Sequence, residues 1–158
     1  VRLDSLTEDV FLACCGSRAW ARRMNEARPF RDTGQLLETA DRVWWSLTPE
    51  DWLEAFAAHP RIGEKSGSRW SQQEQSGAAS AQARVLAELA EANQEYEERF
   101  GHIFIVCATG KTAEEMLGLL RVRLAMDPET ELKVAAEEQR KITRLRLQKW
   151  LADPGMES

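Results

Sequence analysis

The sequence predicts an all-α protein of about eight helices with one short extended segment near residues 102–108. Three observations carry this. Apolar residues recur at spacings of three and four through most of the chain, the mark of helices that bury one face. Helix-start patterns precede these stripes: Ser5-x-x-Glu8, Thr48-Pro49-Glu50-Asp51, Ser71-x-x-Glu74, Thr112-x-x-Glu115 and Asp127-Pro128-Glu129. Only the stretch from His102 to Ala108 has β-like composition, and a lone strand has nothing to pair with.

Ser5 and Glu8 form a capping-box pattern, so the first helix is expected to start near residue 5 and to carry Val10, Phe11, Leu12 and Ala13. A second, short helix over "RAWARRMNEA" ends at Arg28-Pro29, because the residue before a proline is pushed out of helical conformation. From Thr33 to Leu47, the residues Leu36, Leu37, Ala40, Val43, Trp44 and Leu47 make an amphipathic stripe. Thr48 then caps a helix with Pro49 in its first position and two acids, Glu50 and Asp51, at the positive end of its dipole. That helix carries Trp52, Leu53, Ala55, Phe56 and Ala57 and stops at His59-Pro60. A long pattern from about Ser71 to Phe100 has Ala78, Ala81, Val85, Leu86, Leu89, Ala92 and Tyr96 as its stripe and Gly101 as its C-terminal glycine. Thr112 and Glu115 box the start of a helix through Leu117, Leu119, Leu120 and Leu124. Asp127 and Pro128 open the last helix, which carries Leu132, Val134, Ala135, Ile142, Leu145, Leu147, Trp150 and Leu151 and reaches about Ala152. No repeat or long linker interrupts the pattern, so residues 1–158 read as a single domain.

With 158 residues, 43% hydrophobic and 30% charged, the chain can bury a core without staples. No apolar run approaches the roughly 20 residues of a membrane span, so no membrane role is expected. A net charge of -5 argues against nucleic acid, whose phosphates are held by clustered Lys and Arg. Cys14, Cys15 and Cys107 are odd in number and lack Cys-x-x-Cys spacing. They fit small buried apolar residues in a reducing compartment better than a disulfide framework. No basic stretch leads into a long apolar segment near the N-terminus, and Met156-Glu157-Ser158 is not a Ser-Lys-Leu tail; the expected location is cytoplasmic.

Residues able to do chemistry concentrate in "AHPRIGEKSGSRWSQQEQSG", Ala58 to Gly77. His59 stands at a helix C-terminus, where the negative end of the dipole favours the imidazolium, and Pro60 turns the chain away. It is either a C-capping histidine or a site residue. Ser71, Glu74, Gln75 and Ala78 share one helical face. Ser71-x-x-Glu74 is itself a capping box, yet Gln75 stands where a hydrophobic staple to Trp70 would want an apolar residue. Hydroxyl, carboxylate and amide together also fit a polar ligand. Two histidines without Cys or acidic partners at ligand spacing predict no metal site, and no glycine-rich phosphate loop is present. Phe104 to Ala108 reads as core, but a buried extended run must satisfy its amides and carbonyls outside itself, and an amide-rich ligand could do so. Arg140, Arg144 and Arg146 form a solvated face with acidic neighbours, from which one could point inward as an anion clamp. By themselves these residues fit either an enzyme acting on a small polar molecule or a non-catalytic helical binding or adaptor module.

Taken in order, "HPRIGEKS", "SQQEQSGA", "NQEYEERFGHIFIVCATGKTAEEML", "RLAMDPETEL" and "EQRKITRLRL" resemble the 2-oxo-4-hydroxy-4-carboxy-5-ureidoimidazoline (OHCU) decarboxylases, from His59 to Trp150 with a looser fit before it. The resemblance implies a cofactor-free helical carboxy-lyase, usually a homodimer, that turns a small ureidoimidazoline into (S)-allantoin in urate breakdown. By matching position it implies His59 as the catalytic histidine and Glu74 as the essential carboxylate. Pro60 would belong to the pocket wall, and Ser71, Gln72, Gln73 and Gln75 would line the substrate site. Phe104, Ile105, Val106, Cys107 and Ala108 would offer main-chain hydrogen bonds to the ring and ureido group. Arg146, favoured over Arg144, would hold the substrate's carboxylate. His102 departs from the apolar or aromatic residue expected in relatives. With neither a peroxisomal tail nor a fused hydroxyisourate hydrolase domain in view, a stand-alone bacterial-type enzyme is expected.

Overall fold

The computed structural model describes residues 2–59 and 79–152. Among them stand seven α-helices and no strand: α1 (Glu8–Cys14), α2 (Arg18–Glu26), α3 (Thr33–Trp45), α4 (Pro49–Ala57), α5 (Ala79–Phe100), α6 (Ala113–Leu124) and α7 (Pro128–Ala152). A 3-10 turn at Arg2–Ser5 precedes α1. The expected start of the long helix near Ser71 lies outside the described residues. Contacts divide the chain into two units, Val1–Ala58 with Ala136–Ser158, and His59–Ala135.

In the first unit, short polar side chains set where each helix begins. Ser17 Oγ accepts from Trp20 N at 3.2 Å ahead of α2, and Asp32 Oδ1 from Gln35 N at 2.8 Å ahead of α3. Thr48 and Asp51 exchange bonds with each other's main-chain N–H, the expected box before Pro49. One start differs from expectation: α1 is capped by Thr7, whose Oγ1 accepts from Val10 N, and not by Ser5. Ser5 lies in the 3-10 turn and accepts from Trp150 Nε1 at 3.1 Å. Thr7 has the advantage that Glu8 and Asp9 then both fall in the first turn, at the positive end of the dipole.

The core of this unit is aromatic. Phe11, Trp20, Met24, Leu36, Trp44, Ala55 and Phe56 are buried, with Phe11 edge-on to Trp20 at 5.8 Å. Each buried indole N–H finds a carbonyl: Trp20 donates to Ala40, Trp44 to Ala136 and Trp52 to Trp44. Large apolar area is thus removed from water without stranding a donor. Gly16, between α1 and α2, seats against the end of α4, where an added Cβ would lie 2.5 Å from Ala58 Cβ.

The second unit packs α5 against α6 around Leu89, Ala92, Tyr96, Phe104, Val106, Met116, Leu117 and Leu120. Gly101 ends α5 with φ +80° and donates its N–H to Glu97 O at 2.8 Å, a conformation costly for any residue with a Cβ. Thr112 and Glu115 form the expected capping box of α6. Asp127 accepts from Thr130 N at 3.1 Å at the start of α7. The Thr130 side chain and that bond hold its carboxyl below the usual range. Residues 103–108 form neither helix nor strand, as expected of a β-like run near 102–108 with no partner strand.

The buried positions of α7 differ from the apolar stripe read from the sequence. Glu131, Ala135, Ala136, Gln139, Thr143 and Leu147 are buried, whereas Leu145 is 41% exposed. Polar side chains occupy the inner stripe because partners await them there; Gln139 Nε2, for one, donates to Thr143 Oγ1 at 3.0 Å.

Candidate active site

His59 comes two residues after the end of α4 and is half-buried. The C-cap of that helix is Ala58, whose N–H bonds back to Ala55 O, and His59 is the residue that follows it. Pro60, Ser71, Gln72, Gln73, Glu74 and Gln75 lie outside the described residues.

The extended segment is in the second unit, as is His59. Phe104, Ile105, Val106 and Cys107 are buried and Ala108 is exposed. Two cations grip its main chain. Arg123 Nη1 donates to Ile105 O at 2.6 Å, and Lys111 Nζ donates to Cys107 O at 2.9 Å. Arg123 is only 5% exposed and lies with its guanidinium 4.5 Å above the Phe104 ring. Its charge is answered by Glu131, fully buried, whose Oε2 accepts from Nε at 2.8 Å and lies 2.6 Å from Nη2. The Tyr96 hydroxyl donates to the same oxygen. Burial and that carboxylate push the Tyr96 phenol well above its usual range. Desolvated charges are tolerable only when paired, and these pair at Glu131 Oε2, although Arg123 Nη2 and Glu131 Oε1 are buried without a hydrogen bond of their own.

Sequence reasoning passed over Arg123, Glu131 and Lys111. A signal was present for the first: Arg123 continues the stripe Ala113, Met116, Leu117, Leu120 at three residues past Leu120, and all five are buried. A charged residue on an apolar stripe needs a buried counter-charge. No comparable signal marks which acid supplies it.

Arg146 belongs to the first unit, where its Nη1 donates to Cys14 O at 3.2 Å. Arg144 and Arg140 share Asp41, at 3.7 and 3.4 Å, and Arg140 also meets Glu137 at 2.8 Å. The Glu137 bond and Asp41 raise the Arg140 pKa further above neutrality, and Arg140 lowers that of Glu137. A cleft lined by Trp20, Leu37, Asp41, Trp44, Arg140 and Arg144 opens in this unit; of the three arginines weighed as an anion clamp it holds Arg140 and Arg144. All three cysteines are buried. Burial, as the largest cause, pushes the thiols of Cys14 and Cys15 up to about 11, so neither is a ready nucleophile. Among the described residues no group of three or more His, Cys, Asp or Glu is placed to hold a metal ion, and no helix is long and apolar enough to cross a membrane.

Known proteins are similar to this chain in sequence and fold. The chain is 43% identical over 155 residues to the uric acid degradation bifunctional protein TTL of Arabidopsis thaliana, matching 92% of this chain but spanning only about half, 48%, of that relative. It is 39% identical over 128 residues to the 2-oxo-4-hydroxy-4-carboxy-5-ureidoimidazoline decarboxylase of Amia calva, which covers 77% of this chain and 73% of the relative. A crystal structure of an OHCU decarboxylase in the presence of (S)-allantoin superposes with a TM-score of 0.80 at 42% identity, over 92% of this chain and 99% of that one. The family model described as OHCU decarboxylase matches residues 4–148, a span that includes His59, the extended segment and the two cations on it; the chain belongs to the OHCU decarboxylase family.

Proposed function

We propose that this chain catalyses the cofactor-independent decarboxylation of 2-oxo-4-hydroxy-4-carboxy-5-ureidoimidazoline to (S)-allantoin in urate breakdown. The observation that supports it most is the family match across residues 4–148, joined to the likeness with a solved decarboxylase studied in the presence of (S)-allantoin. The proposal extends to a cytoplasmic homodimer, with residues 1–158 as one OHCU decarboxylase-like domain, acting on a small molecule without nucleic acid or membrane partners.

The chemistry explains why such a site needs no electron-sink cofactor. The substrate bears a carboxylate and a hydroxyl on one ring carbon, beside a C=N conjugated to the ureido group. When CO2 leaves, the electron pair enters the neighbouring C=N, so the ring is its own sink. His59 handles the proton of the hydroxyl next to the carboxylate, since a group with a reference pKa near 6.5 exchanges protons at neutral pH. Glu74 orients that imidazole or receives the ureido N–H groups, and Pro60, Ser71, Gln72, Gln73 and Gln75 line the site. Phe104 to Ala108 hold the ring through main-chain bonds, and protonation of the ene-diamine from one face gives the (S) product. Arg146 holds the leaving carboxylate; the pairing of Arg144 with Asp41 favours this choice.

Because the substrate also decays unaided to racemic allantoin, stereocontrol is the sharper test. Given freshly generated substrate, His59→Asn protein is expected to yield allantoin no more optically active than the buffer control, by circular dichroism. A normal signal from that variant removes His59 from the mechanism. Wild-type protein that neither produces (S)-allantoin nor binds it in calorimetry would point instead to a helical binding module.

A further inference from the structure

The two cations on the extended segment hold carbonyls two residues apart, Ile105 by Arg123 and Cys107 by Lys111. A peptide unit is planar, and in its trans form the C=O and the next residue's N–H point in opposite directions. Holding the Ile105 carbonyl therefore sets the direction of the Val106 N–H, and holding that of Cys107 sets the Ala108 N–H. Neither clamp is loose. Arg123 is fixed by Glu131 and by the face of Phe104. Lys111 follows Gly110, at φ +76°, and its own N–H donates to Ala108 O at 3.0 Å, which ties the turn carrying the lysine to the segment it holds. Well-packed apolar residues in place of a buried ion pair are often as stable. A donor, by contrast, is what aims a carbonyl.

We infer that Arg123 and Lys111 are positioning residues that aim the N–H groups of Val106 and Ala108 at carbonyl oxygens of a bound ureide, an inference that rests on the substrate site proposed above. Two aimed donors at alternate residues suit a flat molecule with separate ring and ureido carbonyls. They act on binding in the ground and transition states alike, and so on KM more than on kcat.

Lys111→Met keeps an unbranched, half-buried side chain one atom shorter and removes its donor. Its KM, and its Kd for (S)-allantoin, are expected to rise about tenfold with kcat within about twofold of wild type. Lys111→Arg restores a donor and is expected to return KM to within about threefold. In amide NMR spectra titrated with (S)-allantoin, the Val106 and Ala108 signals should both shift in wild type, and Lys111→Met should lose the Ala108 shift while keeping that of Val106. An active wild type with Lys111→Met unchanged in KM, Kd and the Ala108 shift overturns the positioning role alone. That role falls equally if Lys111→Met merely melts earlier and binds normally below its Tm. A wild type with neither turnover nor allantoin-induced shifts overturns the substrate site, and with it the ligand these amides are aimed at.

Discussion

Glu131→Gln is the substitution whose cost can be worked most directly from the structure. Glu131 is fully buried; its Oε2 accepts from Arg123 Nε at 2.8 Å and from the Tyr96 hydroxyl, and lies 2.6 Å from Arg123 Nη2 as an ion pair. Glutamine preserves the shape but removes the charge, leaving a guanidinium that is 5% exposed without a counter-ion. Breaking a buried pair from one side costs about 3–5 kcal/mol. An exposed pair such as Arg121 with Glu88, whose side chains are 58% and 39% exposed, contributes about 0–1 kcal/mol. In a domain of this size each kcal/mol moves Tm by about 2–4 °C, so Glu131→Gln is expected to melt about 10 °C below wild type and Arg121→Ala within about 2 °C of it. Far-UV circular dichroism during a thermal ramp reads both. The double variant Arg123→Met/Glu131→Leu removes both charges and should recover part of the loss. A Glu131→Gln protein that melts within about 2 °C of wild type, or a double variant less stable than the single one, would show that the buried pair does not carry this cost.

Two further outcomes are expected. Burial raises the Cys15 thiol from 9.0 to about 11, so between those values the folded chain keeps a proton that the unfolded chain has lost. Stability therefore falls as pH rises through that window, by about 2–3 kcal/mol from this residue at its upper end; urea midpoints measured from pH 8.5 to 11 should decline less steeply for Cys15→Ala, and equal slopes would contradict the shift. Glu74→Gln should abolish formation of (S)-allantoin while Tm stays within a few degrees of wild type; loss of activity only in step with unfolding would make Glu74 a helix cap and nothing more.

Much of the fold was legible because it is local. Thr48 with Asp51 and Thr112 with Glu115 cap α4 and α6 as their spacing predicts, since an N-cap bond spans only three residues. The reach of α7 to Ala152 and the stop of α2 before Pro29 follow from periodicity and from proline geometry in the same way. Ser5 misled because Thr7, two residues on, offers an equivalent hydroxyl ahead of two acids, and the competition is settled by where the chain packs. The stripe of α7 was misread for a related reason: Glu131, Gln139 and Thr143 are polar by type and buried by partnership.

The order of residues along the chain is enough for the helical class, most helix ends, the unpaired run at 103–108 and the family, since these depend on near neighbours or on ordered motifs. What holds that run in place depends on packing in three dimensions. Ile105 and Arg123 are 18 residues apart, and Tyr96 and Glu131 are 35 apart. No spacing rule joins such pairs; they meet because α5 and α6 bury a common core, and the cost of desolvating Arg123 there admits only an arrangement that also brings it an acid and a carbonyl.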